Sequence, residues 1–162
     1  MAYSKPEMTK IADLLNAIVA SLQAIPGLVT LLGDASHISA YRHQFPTSTS
    51  WALALHQLKP LPAILVLWRG QRSSAVGNIP SRAQDLSLLI RDGEGVDISD
   101  IWAAILDGVP TTGTGLKWMW EIHDSVYMIR EPELLLQTLQ ITDTAWLDYH
   151  EARFSLTEKF AG

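Results

Sequence analysis

The earliest pattern in the chain is Ser4-Lys5-Pro6-Glu7, a serine followed three residues later by glutamate with a proline in the first turn, which marks a capped helix start. Ile11, Leu14, Leu15, Ile18, Val19 and Leu22 then recur at three- and four-residue spacing until Pro26-Gly27 stops the run. Lys10, Asp13, Asn16 and Gln23 fall on the other side, so this helix has one face to bury, and a sheet is its expected cover. Leu28 to Leu32 stay apolar up to the turn signal Gly33-Asp34, and His37 to Tyr41 read as a short strand. Between Thr47 and Leu58, Ser and Thr ahead of Ala52, Leu53 and Leu55 favour a short helix over an ordered loop.

Ala63 to Trp68 has no polar alternation, which predicts a strand covered on both faces with Pro62 at its beginning. The polar, Ser-rich stretch Gln71 to Pro80 reads as a loop. In Gln84 to Arg91 the polar positions 85, 87 and 91 are odd, so Leu86, Leu88 and Ile90 point inward and Leu89 breaks the pattern. Together these segments predict a hairpin with a long loop. Asp92-Gly93-Glu94-Gly95 is a turn, and Asp97 or Ser99 caps a second amphipathic helix carrying Ile98, Ile101, Trp102 and Ile105, stopped by Gly108-Val109-Pro110. Lys117 to His123 has no definite state, and Val126 to Arg130 reads as a short strand. Glu133 to Ile141 and Ala145 to Lys159 flank Thr142-Asp143-Thr144 and predict a hairpin. Its second arm sets Leu147, Tyr149, Glu151 and Arg153 against Trp146, Asp148, His150, Ala152, Phe154 and Leu156. No repeat or linker interrupts the chain. The expectation is one domain over residues 1–162 of the α+β class, a mainly antiparallel sheet with an N-terminal amphipathic helix and a second short helix packed on it.

Composition adds a constraint. Charged residues make up 18% of the chain against about 25% in an ordinary domain, hydrophobic residues make up 48%, and mean hydropathy is +0.11. Such a surface is expected to be covered by partners. The absence of cysteine excludes disulfides, thiolate metal sites and a cysteine nucleophile. The polar start MAYSKPEMTK lacks the apolar core of a secretion signal. The longest apolar run, around Leu61 to Trp68, is broken by Pro62 and too short for a bilayer, so no membrane association is expected. The net charge of −5 divides unevenly: residues 1–82 hold seven Lys/Arg and three Asp/Glu, net +4, and residues 83–162 hold five and fourteen, net −9. Opposite poles of this kind can attract neighbouring copies head to tail.

Candidate chemistry is sparse. Gly108-Val109-Pro110-Thr111-Thr112-Gly113 has phosphate-loop glycine spacing, but Thr114 stands where a lysine must neutralise the phosphates. Asp92, Glu94, Asp97 and Asp100 do not match a calcium-loop spacing and serve as turn and cap. His37, His43, His56, His123 and His150 fall on separate elements without a metal-binding pair, and Ser50, His56 and Asp85 lack a nucleophile-elbow context. No catalytic residue, cofactor or metal is therefore expected. Arg69, Arg72 and Arg82 beside Trp68 offer phosphate contact and stacking, or a protein-contact patch. Among six tryptophans, Trp118 and Trp120 share one face if that segment is extended, as suits an interface centre.

The helix ending in Ile25-Pro26-Gly27-Leu28, the strand Pro62 to Trp68, the extended Gln84 to Arg91, the short helix Ile98 to Leu106 and the closing Leu147 to Glu158 together resemble the tail terminator, or tail completion, proteins of tailed bacteriophages. The likeness lies in element order, size and the final strand; the stretch Thr111 to Val126 departs from it. The resemblance implies a non-enzymatic α+β subunit that forms a hexameric ring, caps the tail tube protein, and then meets the head or neck connector. Such a protein is a virion component assembled in the host cytoplasm. A head-tail connector or head-completion ring is the alternative within that class, and a small-ligand-binding module or hydrolase is the alternative outside it. In a ring, Arg69, Arg72 and Arg82 would face Asp92, Glu94 and Asp97 of the next copy, with Trp118 and Trp120 as further interface candidates, and a channel so lined could contact DNA non-specifically.

Overall fold

A computed structural model of the chain describes residues 11–42, 48–76, 79–107, 119–122 and 125–159. The expected cap at Ser4 to Glu7 lies outside them. The periodic run of leucines and isoleucines forms α1 (Ile11–Gln23), with Leu14, Leu15, Ile18 and Leu22 buried. Burying each such side chain favours folding by about 1.5–3 kcal/mol. The chain then turns through 86° into α2 (Pro26–Leu32), where the sequence pattern alone gave only an apolar continuation. Pro26 is tolerated because the first helical position needs no N–H donor. No single helix among the described residues is long and apolar enough to cross a membrane.

Six strands form one sheet in the order β1-β2-β3-β6-β5-β4. They are β1 (Ile38–Ala40), β2 (Ala63–Val76), β3 (Ile79–Arg91), β4 (Met119–Ile122), β5 (Ser125–Gln140) and β6 (Trp146–Lys159). Every pairing is antiparallel except β1 with β2. The fold is α+β with a mainly antiparallel sheet, as the sequence pattern predicts. Two further α-helices are seen among the described residues, α3 (Ser48–His56) and α4 (Ile98–Asp107).

The centre of the sheet is covered on both sides, and strand parity shows how. Even positions of β2, β3 and β6, among them Ile64, Val66, Leu86, Leu88, Ile90, Ala152, Phe154 and Leu156, join one core with α1, α2 and Ile101 of α4. Odd positions Leu65, Leu67, Leu89, Leu147 and Tyr149 join a second core with Trp51, Ala52 and Leu55 of α3. Leu89, which breaks a one-sided alternation, is fully buried in this second core. The helix over Ser48–His56 is thus the cover that makes β2 a two-sided strand.

Two expectations about strand length need correction. Where it is described, Gln71 to Pro80 is strand rather than loop: β2 continues to Val76, β3 begins at Ile79, and the two pair up to Val76↔Ile79. These arms are polar in sequence and carry no apolar alternation, so periodicity gives no signal for a strand there. Likewise Val126 to Arg130 and Glu133 to Gln140 are one strand, β5, joined through an irregularity between Arg130 and Glu133, with Ile141 just past its end. Pro132 falls in that irregularity, where a missing N–H is tolerated. At about 3.3 Å per residue β5 spans about 50 Å, whereas α1 at 1.5 Å per residue spans about 20 Å. The long strands outrun the helices.

Leu88 sits at the centre of the first core, 1% exposed, whereas Leu136 is 69% exposed on β5. Leu88→Ala is expected to lower unfolding free energy by about 2–5 kcal/mol. Leu136→Ala should stay within about 0.5 kcal/mol of the parent, both read from urea denaturation.

Candidate functional site

Where the strands leave the helical cover, β2 carries a register shift between Trp68 and Gly70, so that one extra residue is accommodated opposite β3. Gly70 adopts φ 150, a value other residues rarely take. The shift decides which side chains meet. Arg69 and Arg72 are three residues apart, and strict alternation would place them on opposite faces of the sheet. Arg69 instead bonds Ser87 and Glu151, while Arg72 bonds Asp85 and Ser155. All four partners occupy odd positions of β3 and β6, the face that α3 covers nearer the core. Trp68 and Gln71 share the other face, in a chain running from Trp68 Nε1 to Gln84 Oε1 at 2.9 Å and from Gln84 Nε2 to Gln71 Oε1 at 2.8 Å.

Gly70, Asp85, Ser155 and Arg130 are successive Cα partners across β2, β3, β6 and β5, so both irregularities lie on one transverse row. Bulges bend and twist a strand, and two on one row crease the sheet. Along this crease runs an open groove of about 420 Å³ lined by Arg69, Asp85, Ser87, Glu133, Arg153 and Ser155 among others.

Beneath the groove sits Glu151, only 1% exposed. Its Oε2 accepts from Ser87 Oγ at 2.6 Å and from Arg69 Nη2, and its Oε1 accepts from Arg153 Nη2 at 3.1 Å. Gln137 Nε2 approaches Oε1 from β5 at 3.4 Å. Burial pushes the Glu151 carboxyl up, but hydrogen bonds from Arg153 and Ser87 and the charge of Arg69 outweigh it and hold the group below its ordinary value. Arg69 also lies over the Trp51 ring, 5.3 Å from its centroid, and Trp51 meets Tyr149 edge-on at 5.7 Å and 78°. Burial, then the neighbouring Glu151 charge, push the Tyr149 phenol up. Arg72 grips Asp85 with two bonds of 3.0 Å, and Ser155 Oγ donates to the same carboxylate at 2.6 Å.

No protein-family model matches the chain, and no curated protein matches it in sequence.

The predicted site residues are thus distributed as follows. Arg69 and Arg72 come together, and their ion pairs lie within the subunit, to Glu151 and Asp85. The backbone of Arg82 pairs with Ser73 and Glu158, and its side chain lies outside the described residues. Asp92 and Glu94 are exposed on the turn after β3. Asp97 accepts from the Ser99 N–H at 2.9 Å and hydroxyl at 2.8 Å, which hold its carboxyl below the usual range and start α4. Trp118 and the 108–113 loop lie outside the described residues; Trp120 pairs with Tyr127 through the backbone of β4. Of the histidines, His37 Nδ1 lies 2.6 Å from the Leu32 carbonyl, His56 is exposed, and His43 and His123 lie outside the described residues. Among the described residues, no three His, Cys, Asp or Glu side chains cluster as a metal site would need. Glu151, Ser87 and Arg153 are absent from the predicted set. The signal for them was parity: Glu151 shares its face with Leu147 and Tyr149, so a carboxylate was being carried into a core position and required a cation.

Removing the Glu151 charge should therefore be felt by the fold. Glu151→Gln is expected to cost about 2–3 kcal/mol at pH 7, less than the usual 3–5 for a broken buried pair because Arg69 and Arg153 are partly solvated. A carboxyl whose folded value lies below the ordinary 4.5 contributes stability above that pH and loses it as pH falls through the lower folded value. The deficit of Glu151→Gln should thus shrink below about pH 4.5, measured by urea denaturation between pH 7 and 3.

Proposed function

We propose that this chain is a structural subunit of a tailed-bacteriophage virion, forming a ring that caps the tail tube, ends tube growth and offers a docking face to the head or neck. The observation that carries the reading is the excess of sheet over helix. Strands of 13 to 16 residues extend past a helical cover whose longest member among the described residues has 13 residues in a rise less than half as long per residue. A subunit built this way leaves sheet for other subunits to cover, and the low charge content of the chain fits a surface that ends up buried.

The chemistry of the crease supports a mechanical part. A carboxylate fixed by two arginines and a serine stays ionised and bonded, an arrangement that stiffens four strands and suits neither a proton donor nor a nucleophile. Further copies of the chain, the tube protein and a neck connector are the partners of this reading, and DNA in the channel would meet whichever face lines the ring. The subunit would be assembled in the host cytoplasm and carried in the virion.

The test is electron cryo-microscopy of particles made with and without the gene. With it, density for this chain should form a ring at the head-proximal end of the tube; without it, tubes should overgrow and fail to join heads. Normal tail length without the gene, or no such ring with it, overturns the reading.

A further inference from the structure

The two outer long strands of the sheet are each blocked over only part of their length. On β2, the short parallel strand β1 pairs with Ile64 to Val66, and among the described residues nothing pairs with its outer edge beyond. On β5, β4 pairs with Ser125 to Met128, and among the described residues the outer edge from Glu133 to Gln140 is open. Open edges present unpaired N–H and C=O groups, and proteins ordinarily guard them with lysine, proline or inward charge. The β5 edge has no such guard after Pro132 and Glu133: from Leu134 to Thr142 no residue is charged, and Leu136 is 69% exposed.

We infer that the open edge of β5 receives the open arm of β2, Trp68 to Val76, from a second copy of this chain. Strand direction fits that occupant. β2, β3, β6 and β5 are four successive antiparallel strands, so the first and last run in opposite directions. A second copy set beside the first in the same orientation therefore meets it antiparallel, and the alternation continues across the junction. An odd number of long strands would have made the same junction parallel. β1 and β4 block opposite halves of the two edges, so the open halves meet only when the second copy is displaced along the strands. A constant displacement of this kind closes a ring only with tilted strands. The inference deepens the ring reading and rests on it for closure; the edge pairing is tested separately.

The absence of cysteine makes engineered cross-linking unambiguous. In the purified full-length chain, Leu136→Cys combined with Ser73→Cys, positions whose strand registers place them on the same face of the sheet, should give, on mild oxidation, a ladder of species larger than dimers on a non-reducing gel, while either substitution alone gives none. Leu136→Lys, at an exposed position that leaves the fold intact by circular dichroism, should weaken self-association about tenfold in sedimentation velocity. Dimers from Leu136→Cys alone would mean that β5 pairs with itself and would overturn the inference. So would a parent chain that stays monomeric when concentrated, or self-association that Leu136→Lys leaves unchanged. A ring seen on tails together with any of these results keeps the virion reading and removes only the edge pairing.

Discussion

A single buried carboxylate ties the sheet together. Glu151 on β6 is reached by Arg69 from β2, Ser87 from β3, Arg153 from its own strand and Gln137 from β5. A charge taken out of water at that depth is tolerable only if its lone pairs are filled by charge-assisted donors. The requirement reaches outward: Arg69 must lie on the same face as Ser87, which needs the register shift before Gly70, and the shift in turn sends Arg72 to Asp85 and Ser155 on that face. The stacking of Arg69 over Trp51 extends the link to α3, joining the polar crease to the second core. Core and crease are therefore one mechanical unit, with the apolar half stabilised by burial and the other half by fixed charge.

The division of charge along the chain acquires a concrete meaning here. The positive excess of residues 1–82 and the negative excess of residues 83–162 meet inside the subunit, at Arg69 with Glu151 and Arg72 with Asp85. Those contacts hold β2 to strands that follow it by 13 and 82 positions, so charge contributes to the long-range closure of the sheet. The negative charges on the turn after β3, Asp92 and Glu94, remain at the surface.

Much of the architecture was legible wherever a face is buried. The period of α1, the unbroken run of β2 and the alternation of β6 each record a core contact, and all three elements formed where those patterns lie. The distal arms were illegible for the converse reason: residues 71–80 show no apolar alternation, only polarity, which a strand and a loop share. α2 was missed because seven residues make too few turns for a period to show. In the candidate site, the arginines could be recognised but their partners could not, since pairing across 13 and 82 positions depends on a one-residue irregularity that local sequence does not announce.

That irregularity separates the history of the arm from the history of the core. Upstream of Arg69 the facing of every β2 residue is fixed by two packed layers, whereas beyond Gly70 it is set by a count of one. A single-codon insertion or deletion at this row would exchange the two faces of the outer arm and leave the packed half in register. Within a lineage, the surface shown by the arm could thus be inverted in one genetic step, a far shorter route to a new contact than replacing its side chains one by one.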